Sequence, residues 1–137
     1  MRASLAALAT FLLLAPVANA QEATRFDLRC SGTQQEELNG PRAPRSFVLH
    51  VDLGAMQYCF DICDNVMPIE RVLADRIVFL DRNEATARRN SMHTSEVSRV
   101  TGQYRSLWIE SRPIPTYMET QAACEPAPFT SFPSRRF

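Results

Sequence analysis

Between Phe47 and Leu53 the chain alternates, with Phe47, Leu49, Val51 and Leu53 separated by Val48, His50 and Asp52. A period of two predicts a β-strand with one buried face and one wetter face. Gly54 breaks the run, and Met56, Tyr58 and Phe60 resume it, so 46–60 reads as a hairpin. Upstream, Phe26, Leu28 and Cys30 alternate with Arg25, Asp27 and Arg29, which predicts a first strand whose inward face ends in a cysteine. Ser31 to Arg45 carries Gly32, Gly40, Pro41 and Pro44 and reads as a long exposed loop.

Residues 64–80 fit two patterns. Ile69, Val72, Leu73, Ile77 and Leu80 suit a helical face, whereas the dense run Ile77-Val78-Phe79-Leu80 suits a strand. A turn at Ala74-Asp75 makes 69–73 and 76–81 a second hairpin, and this is the reading adopted. Arg82 to Asn90 has no apolar side chain larger than Ala and is expected to be a loop or a short exposed turn. Val97, Val100, Tyr104, Leu107, Trp108 and Ile109 flank Thr101-Gly102, a third hairpin with glycine at its turn. After the connector 112–115, Thr116 to Cys124 forms the last strand, and the proline-rich remainder is expected to lie extended over the surface.

The resulting expectation is an all-β fold, an antiparallel meander of about eight short strands closed or strongly curled into a barrel. The chain opens with Arg2, an apolar run from Leu5 to Val17 and Ala18-Asn19-Ala20, the three parts of a secretory signal peptide cleaved before Gln21. The run is shorter than the roughly 20 residues a membrane span needs. The division expected is therefore 1–20 signal peptide, 21–125 a single β-domain and 126–137 an extended tail. Export implies a periplasmic or secreted location, with no transmembrane anchor in the mature chain.

All fifteen basic residues are Arg, and losing Arg2 leaves fourteen against fifteen acids. A near-neutral exported domain lacks the basic excess that nucleic-acid binding needs. Its partner is expected instead to be an envelope or secreted protein. Cys30, Cys59, Cys63 and Cys124 all fall in the exported part, where an even count reads as two disulfides with three possible pairings. Joining Cys59 to Cys63 requires the chain to curl through Asp61 and Ile62, because four extended residues span about 13 Å and a disulfide needs Cα atoms within about 7 Å. Cys30 with Cys124 then follows, and the two ends of the domain are tied.

Candidate chemistry is sparse. Cys59-x-x-x-Cys63 departs from the redox spacing, and Asp61 and Asp64 would oppose thiolate formation, so a structural bridge is the reading taken. His50 and Asp52 share the outward face of a strand, and His93 stands apart from both; they are read as surface histidines, with a hydrolase using His50 or His93 as the third-ranked function. No metal-ligand spacing, cofactor motif or catalytic set is recognisable. Glu36-Glu37, Arg88-Arg89 and Arg135-Arg136 read as solvated surface. Tyr58, Tyr104, Trp108 and Tyr117 are either core or the wall of a pocket, with core preferred. Phe137 matches the aromatic ending of outer-membrane barrels, but strands this short with Asp27, Asp52 and Glu70 on their polar faces supply no lipid-facing band.

The segments FDLRCSG, VDLGAMQYCFDIC, PIERVLADRIVFL, SRVTGQYR and CEPAPFTSFP together resemble a group of small exported two-disulfide proteins of Gram-negative bacteria. That resemblance implies export and a two-disulfide fold, and it brings no activity, cofactor or site residue with it. The function expected is a non-enzymatic binding or structural module, inhibitor-like among its forms, with the loops 31–45 and 82–90 as contacts. The alternative is a lipocalin-like carrier of a small apolar ligand.

Overall fold

The structure, a computed structural model, describes residues 24–112 and 114–132. The expected signal peptide, Arg135-Arg136 and Phe137 lie outside those residues. Regular structure among the described residues is all strand: β1 (Arg25–Gln35), β2 (Arg42–Asp52), β3 (Gln57–Phe60), β4 (Met67–Pro68), β5 (Arg71–Val72), β6 (Arg76–Ala85), β7 (Asn90–Ser98), β8 (Gln103–Arg112) and β9 (Thr116–Ala127). They form one antiparallel sheet in the order β4-β3-β2-β1-β9-β8-β7-β6-β5, strongly curled into a half-barrel. The 69–80 region is the expected hairpin, with Leu73 N–H donating to the Arg76 carbonyl.

The first and last strands are neighbours in the middle of the sheet, and its two edge strands are separated in sequence only by Ile69 and Glu70. These two residues stitch the edges together. Ile69 N–H reaches the Met56 carbonyl at 2.8 Å and Glu70 N–H reaches the Val78 carbonyl at 3.1 Å.

Curling the sheet turns one face of each strand inward. Leu28, Phe47, Leu49, Val51, Tyr58, Ile69, Ile77, Phe79, Val97, Tyr104 and Ala122 form the core, together with Cys30 and Cys124. Phe47, Tyr58, Phe60, Phe79 and Tyr104 interlock mainly edge to face, with ring centroids 4.7 to 6.5 Å apart. The middle of the half-barrel is therefore filled. Cys30 and Cys124 are direct partners in the β1–β9 ladder and are bonded to each other; Cys59 is bonded to Cys63. Both are the pairs reached from spacing.

Two expected loops are mostly strand. β1 runs on to Gln35 and β2 starts at Arg42, leaving only 36–41 as turn, while β6 continues to Ala85 and β7 begins at Asn90. At this end of the sheet β2 and β6 are exposed on both faces and β1 carries only polar side chains, half-buried at Thr33 and Gln34 and buried at Gln35, so no apolar alternation marks them; backbone pairing with β9 and β7 holds them. Gly32, read as a loop residue, stands inside β1 because a Cβ there would lie 2.0 Å from the Gln121 carbonyl oxygen. β9 also runs past Cys124 through Pro126 to Ala127, further than expected. Pro126 is opposite Leu28 of β1 and beyond the reach of the β8 ladder, so its missing N–H costs no pair.

Candidate functional site

Asp27, His50 and Cys59 are successive partners across β1, β2 and β3 on the outward face of the sheet. An outward position here does not mean an exposed one. Asp27 is 2% and His50 7% exposed, because the segment after β9 crosses over them and Thr130 docks on Asp27. The reading of His50 as a surface histidine is corrected by this strap. Its carboxylate partner is Asp27, not Asp52, which instead binds Arg25 at 2.7 Å and accepts the Ala55 N–H in the β2–β3 turn.

The hydrogen bonds fix how protons are shared. His50 Nε2 is 2.9 Å from the Asp61 carbonyl oxygen, which can only accept, so Nε2 carries hydrogen. Nδ1 lies 2.7 Å from Asp27 Oδ1 and shares one further proton with it. Asp27 Oδ2 accepts from both the Thr130 N–H at 3.1 Å and the Thr130 hydroxyl at 2.7 Å. The buried pair is neutral overall wherever the shared proton resides, which is how two ionisable groups can be covered at tolerable cost.

A hydroxyl, an imidazole and a carboxylate in contact invite comparison with a hydrolytic triad. A triad needs nucleophile and carboxylate on opposite ring nitrogens. Here Thr130 Oγ1, at 3.3 Å, and Asp27 both approach Nδ1, and a backbone carbonyl occupies Nε2. The arrangement is that of a clasp. The Cys59–Cys63 bridge contributes by closing a tight bend in which Asp61 and Cys63 both take positive φ, 49° and 57°. That bend aims the Asp61 carbonyl at His50 and its carboxylate at the Val48 N–H.

His93 is on β7, away from the clasp, with its ring packed at a tilt against Trp108 of β8, centroids 4.8 Å apart. Its Nε2 is buried and has no hydrogen-bond partner among the described residues. Tyr58 and Tyr104 are core, while Trp108 is 37% exposed and Tyr117 half-buried, so the aromatic set divides. Burial, with the nearby Tyr104 ring adding to it, pushes the Tyr58 hydroxyl up to about 12, against the pull of Arg82. Burial also raises Tyr104, opposed by hydrogen bonds from Ser95 and Ser106 and by Arg45. Glu36-Glu37 and Arg88-Arg89 are exposed turn residues, Arg89 pairing with Glu110 at 3.1 Å. Among the described residues no three His, Cys, Asp or Glu side chains gather as a metal would require, and no helix is long and apolar enough to cross a membrane.

The open end of the half-barrel above the core has a marked apolar character. Phe26, Leu28, Leu53, Ile77, Val97, Pro126 and the buried Cys124 line a pocket of about 540 Å³ there. Ser98 to Gly102, the β7–β8 turn, forms one wall. Gly102 has φ +70°, and its carbonyl accepts the Cys124 N–H, tying that wall to the disulfide. Val100 at the rim is 79% exposed. Thr24, Ser98, Arg99 and Thr101 supply polar groups around the same rim. The alternation of Phe26, Leu28, Leu53 and Val97 was visible in sequence as core; that its upper members line an open mouth follows only from the curl of the sheet.

Comparison with known protein families, with curated proteins and with solved structures finds no match to this chain.

Proposed function

We propose that the protein is an exported, non-enzymatic binding module that takes the apolar end of a small amphipathic molecule into the mouth of its half-barrel. The observation carrying this reading is the pocket of about 540 Å³ with an apolar floor and a polar rim, within the size range of small-molecule sites. Two disulfides support an oxidising location. The non-enzymatic part rests on the clasp, whose histidine has both nitrogens engaged and lies under the strap. A carrier with a deep internal cavity fits less well, because the aromatic cluster occupies the middle of the half-barrel.

The test is fluorescence titration of the oxidised protein with N-phenyl-1-naphthylamine. Saturable binding at one site, abolished by the rim change Val100→Asp and unaffected by Val48→Asp on the opposite face, supports the reading. Absence of saturable binding, or binding indifferent to Val100→Asp, overturns it.

A further inference from the structure

Among the described residues the half-barrel has two free strand edges below the core, because β3 covers only Leu49–Asp52 of β2 and β5 covers only Ile77–Val78 of β6. Both ladders are stopped by a carboxylate. Asp61 Oδ1 accepts the Val48 N–H on β2, and Glu70 Oε2 accepts the Asp81 N–H on β6. Backbone groups alternate in direction along a strand, so beyond these points Ser46 and Pro44 face outward on β2, and Asn83 and Ala85 on β6. Pro44 has no N–H to offer there, which protects the β2 edge.

The β6 edge has no such protection. Asp81 to Ala85 are all exposed, the strand contains no proline, and the Asn83 N–H and carbonyl point away from β7. Arg82 and Glu84 flank Asn83 with opposite charges. Arg82 has no ion-pair partner among the described residues, and Glu84 has only a long contact, 3.9 Å, to Arg89, which lies closer to Glu110.

We propose that this edge pairs with the same edge of a second copy of the chain, antiparallel, about a two-fold axis at Asn83. In that register each Asn83 donates its N–H to the other's carbonyl, and Arg82 of each copy lies opposite Glu84 of its partner, twice over. Sliding by two residues in either direction, the smallest shift that keeps outward-facing backbone groups paired, puts the axis at Arg82 or at Glu84 and sets like charges against each other. The charge pattern thus accepts a copy of itself in one register and disfavours a generic strand, a selectivity that a neutral edge would lack. Joining two half-barrels this way extends one continuous sheet through both.

Sedimentation equilibrium of the oxidised protein at low salt tests the pairing. The expected result is a monomer–dimer equilibrium that weakens as salt is raised. Arg82→Glu and Glu84→Arg each weaken the dimer at least tenfold, since each sets like charges opposite one another. An equimolar mixture of the two variants recovers a heterodimer, and the double reversal R82E/E84R recovers the homodimer. Asn83→Pro abolishes dimerisation while leaving the monomer's circular dichroism unchanged, because that N–H serves no bond to β7. A monomer at every concentration, a dimer indifferent to Asn83→Pro, or charge reversals that fail to complement each other overturn the proposal.

Discussion

His50 Nδ1 lies 2.7 Å from Asp27 Oδ1 across the β1–β2 ladder, and Thr130, about a hundred residues further on, closes over both. The two strands alone would leave this pair facing solvent. The strap converts a surface contact into a buried one, and its own anchoring depends on the same carboxylate.

Removing either side of that arrangement has a graded cost. Thr130→Ala deletes one hydroxyl bond to a carboxylate and keeps the backbone N–H, so it is expected to lower stability by about 1–2 kcal/mol. Asp27→Asn breaks a buried pair from within and is expected to cost about 3 kcal/mol or more. Urea denaturation of the two variants checks the ranking; equal midpoints would show that the strap does not bury the pair in solution.

The two disulfides differ in what they restrain. Cys30–Cys124 spans 94 residues of sequence and Cys59–Cys63 spans 4. Chain-entropy reasoning assigns roughly 4–5 kcal/mol to a loop of the first size and roughly 2 kcal/mol to the second. Replacing each pair with alanine and measuring unfolding in denaturant tests the order. The short bridge has a separate local signature: without it the Asp61 carbonyl leaves His50, which an NMR shift of the imidazole would report.

Tyr58 makes stability fall in alkali. Its hydroxyl has an ordinary value of 10.0 when the chain is unfolded and about 12 in the core. A raised value in the folded state means the contribution is complete below pH 10.0 and is lost as pH climbs towards 12. Tyrosinate absorbance at alkaline pH is expected to rise together with loss of near-ultraviolet circular dichroism, and Tyr58→Phe is expected to move that transition to higher pH. Simple titration of all three tyrosines near 10, with the fold intact, would contradict it.

Gly32 supplies a fourth test. A methyl group there would press into the Gln121 carbonyl and the Ala122 Cα, both backbone atoms of β9. Gly32→Ala is therefore expected to cost about 2–3 kcal/mol by forcing β1 and β9 apart, although Gly32 lies outside the hydrophobic core. Thermal melts of Gly32→Ala beside Gly54→Ala, where the nearest atom is a side-chain oxygen at 3.3 Å, separate this effect from loss of glycine as such.

The inward faces of β1, β2 and β3 were legible because burying one face imposes a period of two on the sequence, and β6 because its apolar residues run together. Where β2 and β6 extend beyond the core both faces are wet, and where β1 does its side chains are polar even at the buried Gln35, so Gly32, Pro44 and the run from Asp81 to Ala85 look like loop. The clasp was hidden for a different reason. Asp27 and His50 each occupy a position that alternation marks as polar, and only the register between their strands and the return of Thr130 show them to be partners. The mouth was hidden because Leu28 and Val97 read the same whether they meet other side chains or an open end.

A sheet normally starts and finishes at its rims, but this one starts and finishes at its middle, with Cys30 beside Cys124. During synthesis from the N-terminus, β1 therefore has only β2 to lean on until β9 has been made. The ladder with the largest share of the molecule's long-distance pairing is also the last that can assemble, and throughout that wait Cys30 is an unmatched thiol in the company of Cys59 and Cys63.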